Sequence, residues 1–169
     1  MAYLSNGTLR QTVALSTLRS NSSSWQINVG NHSWTLDKTP NTETSVLLTT
    51  LDLPRSSRTA EGTRLLKVEL CYQISAAAAN TFTPTLYRQA LAQHGGSLTV
   101  PQPIPFSYDG AHDTNAKRIS TGLHRMQLFS SEAKFNPTDE VYFLELSIQT
   151  NSSCVVQILA LQLHYALRL

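Results

Sequence analysis

The loop YDGAHDTN (residues 108–115) holds the densest group of side chains that could bind an ion. Asp109, His112 and Asp113 bring two carboxylates and an imidazole into a short span, and Ca²⁺ binds about six to eight oxygen ligands in proteins. The spacing differs from that of an EF-hand, and Asp-Gly is also a common turn sequence. The sequence therefore leaves two interpretations open for this loop, an ion site or an ordinary turn.

Elsewhere the residues that could do chemistry are isolated from one another. Glu69 and Glu145 are the carboxylates to consider for hydrolysis of a glycosidic bond, but both fall on the polar rows of strands, where like charges side by side are unfavourable. The sequence contains neither a Gly-x-Ser-x-Gly nucleophile motif nor a phosphate-binding loop. The histidines are single and follow no metal-ligand spacing: His32, His94, His112, His124 and His164. We therefore expect a protein that is not an enzyme and binds no cofactor.

The composition favours a β-protein of low charge. Of the 169 residues 14% are charged, against about 25% in an average soluble protein, whereas Ser and Thr each occur nineteen times. Thr suits the pleated surface of a sheet. The net charge is only +2 and the basic residues are scattered, which argues against strong nucleic-acid binding. No apolar stretch reaches about 18 residues and the N-terminus lacks a signal-peptide pattern, so we expect no membrane span and no signal peptide.

Residues 25–36, WQINVGNHSWTL, form the clearest local pattern. Their central Gly-Asn dipeptide is one that closes two-residue hairpin turns. That turn places Ile27 opposite Trp34. It also places Trp25 opposite Leu36, and directly opposed residues share a face of the sheet. The hairpin is thus predicted to have one apolar face, which carries both tryptophans.

Two further segments alternate apolar and polar residues with the period of a half-buried strand. The apolar row of residues 63–75 runs from Leu66 to Ile74, and that of residues 140–150 runs from Tyr142 to Ile148. Weaker strand signals cover residues 44–54, 81–93, 97–110 and 119–131.

The chain ends on an apolar segment, CVVQILALQLHYALRL, at residues 154–169. Val156, Leu159 and Leu163 fall on one helical stripe, and Leu, Ala and Gln favour helices. From Leu159 onward, however, every second residue is Leu or Tyr, and the rest of the chain consists of strands and turns. We therefore predict a long β-strand at the centre of a sheet.

About eight strands, joined by uneven connections and accompanied by no helix, indicate an all-β protein: an antiparallel β-sandwich with jelly-roll-like wiring. We expect one such domain over residues 25–169, with its best-defined part at 62–169, preceded by an N-terminal arm at residues 1–24. Cys71 and Cys154 have no metal or redox spacing, so they are either two buried thiols or a pair joined across neighbouring strands.

In residues 62–168 an alternating strand leads through the connector AAAAN into a Thr-rich strand, and the polar turn FNPTDE leads into VYFLELSIQT and a last apolar strand. This succession resembles the small jelly-roll domains of viral and bacteriophage structural proteins. The resemblance implies a subunit of a virion or similar particle, as capsid, decoration or tail protein, that associates with copies of itself. The arm at residues 1–24 would then cross onto a neighbouring subunit, while the lack of a basic arm argues against direct genome packaging.

For such an assembly we expect the apolar face of the hairpin to form the subunit contact, because buried aromatic residues anchor most protein interfaces. The predicted contact residues are Trp25, Ile27, Trp34 and Leu36. The alternative is a carbohydrate- or receptor-binding β-sandwich, in which exposed aromatic side chains stack on sugar rings. Its candidate platforms are Trp25, Trp34, Tyr87 and Tyr108.

Overall fold

The computed structural model describes residues 8–30, 33–52, 63–91, 99–131 and 140–167, which form two antiparallel sheets packed face to face. The seven-stranded sheet contains β1 (Thr8–Val13), β3 (Trp25–Val29), β4 (Trp34–Lys38), β6 (Thr63–Ser75), β9 (Phe106–Tyr108), β10 (Gly122–Ser130) and β12 (Val155–Leu167). The five-stranded sheet contains β2 (Arg19–Ser20), β5 (Glu43–Thr50), β7 (Thr81–Ala90), β8 (Gln102–Ile104) and β11 (Glu140–Thr150). A 3₁₀ turn (Leu15–Thr17) and a short helix α1 (Asn115–Ile119) connect strands.

The wiring of the strands is that of a jelly roll. The seven-stranded sheet has the order β3-β4-β12-β6-β10-β9, with β1 paired to β12, and the five-stranded sheet has the order β2-β5-β11-β7-β8. From β4 to β7, and again from β10 to β12, consecutive strands alternate between the two sheets. This arrangement confirms the predicted all-β sandwich. No helix among the described residues is long and apolar enough to cross a membrane.

The core lies between the sheets and is built from the alternating rows predicted for β6 and β11. The inward residues of both strands are buried: Val68, Leu70, Tyr72, Ile74, Tyr142, Leu144, Leu146 and Ile148. In β6 the row begins with Leu65 rather than Leu66, because the pairing with β12 is irregular between His164 and Tyr165. Such an irregularity adds one residue to a strand and changes which face the following side chains occupy.

Strand β12 is the predicted central strand. It pairs with β6 along one edge, and with β4 and then β1 along the other. A second irregularity between Ile158 and Ala160 displaces Leu159 from the inward row. The buried residues are therefore Ile158 before it and Leu161 and Leu163 after it, so the alternation predicted from Leu159 is correct only from Leu161 onward.

The hairpin of β3 and β4 forms, but its register differs from the prediction by two residues. Ile27 lies opposite Leu36 rather than Trp34, and the strands close where the N–H of Gly30 donates to the carbonyl of Ser33 at 2.8 Å. A shift of two residues keeps every side chain on its predicted face, because strand side chains repeat with a period of two.

The predicted N-terminal arm is wrong for the described part of residues 1–24. Strand β1 pairs with β12 of the same chain, from Thr8 with Ala166 to Val13 with Leu161. Strand β2 pairs with β5. Both strands therefore complete the sandwich of their own chain, while residues 1–7 lie outside the described residues.

Candidate functional site

The outward face of the five-stranded sheet carries an aromatic pair. Phe143 on β11 lies directly opposite Tyr87 on β7. Both side chains point outward, because the flanking residues Tyr142 and Leu144 face the core. The ring centroids are 5.3 Å apart and the ring planes differ by 22°. Each ring thus supports the other, and both stay partly exposed to solvent.

Phe143 lines a groove of about 1,020 Å³ on this face. The floor also includes Glu145 and Leu48, whose side chain is 40% exposed. The 3₁₀ turn and β2 form one wall, to which Arg19 belongs, and Gln89 lies toward the opposite side. We call this feature the Phe143 groove.

A cavity of about 420 Å³ continues the Phe143 groove toward the end of the sandwich. The two spaces share the lining residues Thr17, Thr50 and Val141. Beyond them the cavity reaches Asp52 and Glu140. The combined space is therefore elongated and suits an extended ligand better than a compact one.

The charges along this space are mainly negative. Among the described lining residues, Glu145, Asp52 and Glu140 carry carboxylates, whereas Arg19 is the one Lys or Arg. An anionic ligand would be repelled by this excess of negative charge. Carboxylate, amide and hydroxyl groups are also the side chains that hydrogen-bond to ligand hydroxyls.

Two hydrogen bonds hold polar lining residues in place. The hydroxyl groups of Thr17 and Thr49 are 2.9 Å apart, which ties the 3₁₀ turn to β5. The Nε2 atom of Gln89 donates to the carbonyl of Thr99 at 2.8 Å. The walls of the groove are thus held by the chain itself, which lowers the ordering cost of binding.

The structure separates the four residues predicted for a subunit contact. Trp25 is 8% exposed, with its indole N–H donating to the hydroxyl of Ser45 at 2.9 Å, and Leu36 is 4% exposed. These two side chains pack inside their own chain, which corrects their assignment to a contact. Ile27 and Trp34 are 42% and 58% exposed, and they lie on β3 and β4 at one edge of the seven-stranded sheet.

The structure also places the aromatic residues predicted as sugar platforms in different environments. Trp25 is buried, and Tyr108 lies under the guanidinium of Arg118, whose carbon is 4.3 Å from the ring centroid. Tyr87 belongs to the pair described above. Its partner Phe143 did not emerge from the sequence, although the alternation of β11 places this apolar ring on the polar row beside Glu145.

The predicted ion loop is held by its own hydrogen bonds. The Asp109 carboxylate accepts from the backbone N–H of Gln127 at 2.6 Å and lies 2.8 Å from Nδ1 of His112. Burial raises the pKa of Asp109, but these hydrogen bonds outweigh burial and hold the pKa below its ordinary value. Asp113 instead pairs with Lys117 at 2.8 Å. The described part of the chain contains no group of three or more residues placed to hold a metal ion.

Glu69 and Glu145 do not meet, because they lie on different sheets. Glu69 is buried on the outward face of the seven-stranded sheet, 2.7 Å from Nε of Arg125 and 3.3 Å from Nζ of Lys67. Burial raises its pKa, but the hydrogen bonds from these two cations bring the pKa below its usual value. Nε2 of His164 lies 3.8 Å from the same carboxylate and has no hydrogen-bond partner among the described residues.

No protein-family model matches the chain, and no curated protein sequence matches it. Among solved structures it is similar to the module TmCBM61 in complex with β-1,4-galactotriose, with a TM-score of 0.47, 10% identity, and 86% of this chain and 85% of that chain covered. It is also similar to the low-affinity xylan-binding module CBM86 of Roseburia intestinalis, with a TM-score of 0.40, 10% identity, and coverages of 93% and 96%.

A third similar structure is the enzymatically active domain of tailspike protein 4 from bacteriophage CBA120. Its TM-score is 0.33 at 8% identity, with 94% of this chain and 19% of that chain covered. At these scores and identities, none of the three assigns a ligand or an activity to this chain.

Proposed function

We propose that this protein is a non-catalytic module that binds an extended, neutral glycan in the Phe143 groove. The observation that carries the proposal is the position of Phe143, a partly exposed ring supported by Tyr87 on the outward face of a sheet. The electron-rich face of an aromatic ring attracts the C–H groups on the flat side of a sugar ring. A rigid aromatic ring bordered by polar side chains therefore provides both a stacking surface and hydrogen-bonding groups for a sugar.

The charges and the shape of the groove define the class of glycan. Glu145, Asp52 and Glu140 would repel uronic acids and sulfated sugars, so a neutral glycan is favoured. The continuation of the groove into the second cavity supports binding of several consecutive sugar units. We assign the carbohydrate-binding alternative predicted from the sequence to this groove as a proposal, with Phe143 as a platform residue that the sequence pattern does not single out.

The experiment is a binding screen of the whole protein on an array of neutral and acidic oligosaccharides. We expect binding to neutral members, and a loss of at least tenfold in affinity for Phe143→Ala, which corresponds to about 1.4 kcal/mol. The matched control is Phe129→Ala, since Phe129 is an exposed phenylalanine of the other sheet, 39% exposed. Absence of binding to every neutral member, or equal losses in both variants, would contradict the proposal.

The particle subunit is a second candidate function, and the exposed hairpin favours it. Ile27 and Trp34 offer apolar surface that a further copy of the chain could cover. Under this hypothesis Trp34→Ala leaves the sandwich folded but weakens assembly. Light scattering and negative-stain imaging of the purified protein would test it, and a variant that assembles like the unmodified chain would count against it.

A further inference from the structure

Strand β3 is an edge strand of the seven-stranded sheet. Among the described residues it pairs with β4 on one side only. Natural edge strands are commonly protected by charged residues or proline, whereas β3 reads WQINV and contains neither. This edge can therefore accept another strand without burying a charge.

The hairpin register determines which backbone groups point toward that edge. Gly30 bonds to Ser33, and the carbonyl of Ser24 accepts from Thr39 at 2.8 Å. In an antiparallel pair, alternate residues form the closely bonded pairs and the residues between them direct N–H and C=O to the opposite side. The residues that present both groups to the edge are therefore Trp25, Ile27 and Val29.

These three residues are self-complementary. If two copies of β3 pair antiparallel about Ile27, each Ile27 lies opposite its equivalent, and Trp25 lies opposite Val29 of the second copy. All three pairs are then of the hydrogen-bonded type, because their N–H and C=O groups already face the edge. On the other face, Gln26 lies opposite Asn28 of the second copy, so an amide meets an amide.

The side chains favour the same arrangement. Val29 is 64% exposed and Ile27 is 42% exposed, and both point to the same side of the hairpin as Trp34. Pairing about a two-fold axis joins these residues to those of the second copy in one apolar strip. A two-fold contact of this kind uses the same surface on both copies and closes at two.

We propose that this chain forms a dimer by antiparallel pairing of β3 with β3 of a second copy, which joins the two seven-stranded sheets. The proposal is independent of the Phe143 groove, which lies on the other sheet. The contact predicted from the sequence depends on side chains that include Trp25 and Leu36, whereas the contact proposed here depends on the backbone of β3.

The first test is the mass of the whole protein by size exclusion with multi-angle light scattering over a range of concentrations. We expect a dimer that Ile27→Lys converts to monomer, because a lysine on an edge strand opposes pairing. The matched control is Leu123→Lys at another exposed aliphatic residue, 72% exposed, on β10; this variant should stay dimeric. A chain that is monomeric throughout, or a dimer that survives Ile27→Lys, would overturn the proposal.

The second test addresses the register and does not depend on the first variant folding. In a Cys71→Ser background, Gln26→Cys and Asn28→Cys are prepared separately and then mixed under mild oxidation. We expect a disulfide-linked dimer mainly in the mixture, since residue 26 of one copy lies opposite residue 28 of the other. Equal cross-linking in the separate samples, or none in the mixture, would contradict the proposed register.

Discussion

Nη1 of Arg118 donates a hydrogen bond to the carbonyl oxygen of His112 across 2.9 Å, from helix α1 back to the loop that precedes it. Nε of the same guanidinium donates to the carbonyl of Phe82 on β7 at 2.9 Å. The cation also covers the ring of Tyr108 on β9. Arg118 is buried, and through these contacts it ties the loop to both sheets.

We predict that Arg118→Met destabilises the protein by about 3 kcal/mol, because two buried carbonyls lose hydrogen bonds from a charged donor. Urea unfolding followed by circular dichroism measures this change. Lys117→Met is the matched control, since its pair with Asp113 is exposed to solvent and exposed pairs contribute little to stability. Similar losses for both variants would show that Arg118 does not hold the loop.

A second prediction concerns the dependence of stability on pH through His164. Burial, followed by the charge of Lys67, lowers the pKa of His164 below its ordinary value of 6.5, and the charge of Glu69 opposes this only in part. The charges of Arg10 on β1 and Arg125 on β10 also face the imidazole and lower its pKa.

The unfolded chain therefore binds the His164 proton more readily than the folded chain. The contribution of His164 to the free energy of unfolding should be fully present above about pH 6.5. As the pH decreases toward the pKa of the folded chain, this free energy should fall by at most about 1.4 kcal/mol per pH unit. Urea unfolding of the unmodified chain and of His164→Gln between pH 7.5 and 5 measures the difference. The variant should show the shallower decline, and parallel curves would contradict this assignment.

A third prediction is that the two cysteines are free thiols. Cys154 is buried, while Cys71 is partly exposed. Burial raises the pKa of both thiols, and the charge of Glu69 adds to this at Cys71. Because the thiolate is the reactive form, a disulfide-exchange reagent at pH 7 should label Cys71 slowly and Cys154 only after unfolding. Detection of fewer than two thiols in the unfolded, unreduced chain would instead indicate a disulfide.

The strands that could be predicted from the sequence are those with one buried and one solvated face. The bounds of β6 and β11 follow directly from the alternation at residues 63–75 and 140–150. The pairing of β1 with β12 could not be predicted in this way, because Thr8 and Ala166 are brought together by the fold and not by a local pattern. A short polar segment before the hairpin therefore looked like an arm.

Bulges also limited the prediction. Leu159 is as apolar as Leu161, so nothing in its residue type marks it as the position displaced from the inward row. For the candidate site, the sequence predicts Tyr87 as a possible sugar platform, but its stacking with Phe143 depends on the register between β7 and β11. That register is a property of the sheet and is not visible in either strand alone.

The most direct test of the proposed glycan site is NMR mapping with an oligosaccharide selected on the array. We expect the amide signals that shift most during titration to belong to β11 near Phe143 and Glu145, and to β7 near Tyr87. Saturation-transfer signals should come from the sugar C–H groups that contact the ring of Phe143. Shifts confined to the β3–β4 hairpin or to the outward face of the seven-stranded sheet would contradict glycan binding in the Phe143 groove.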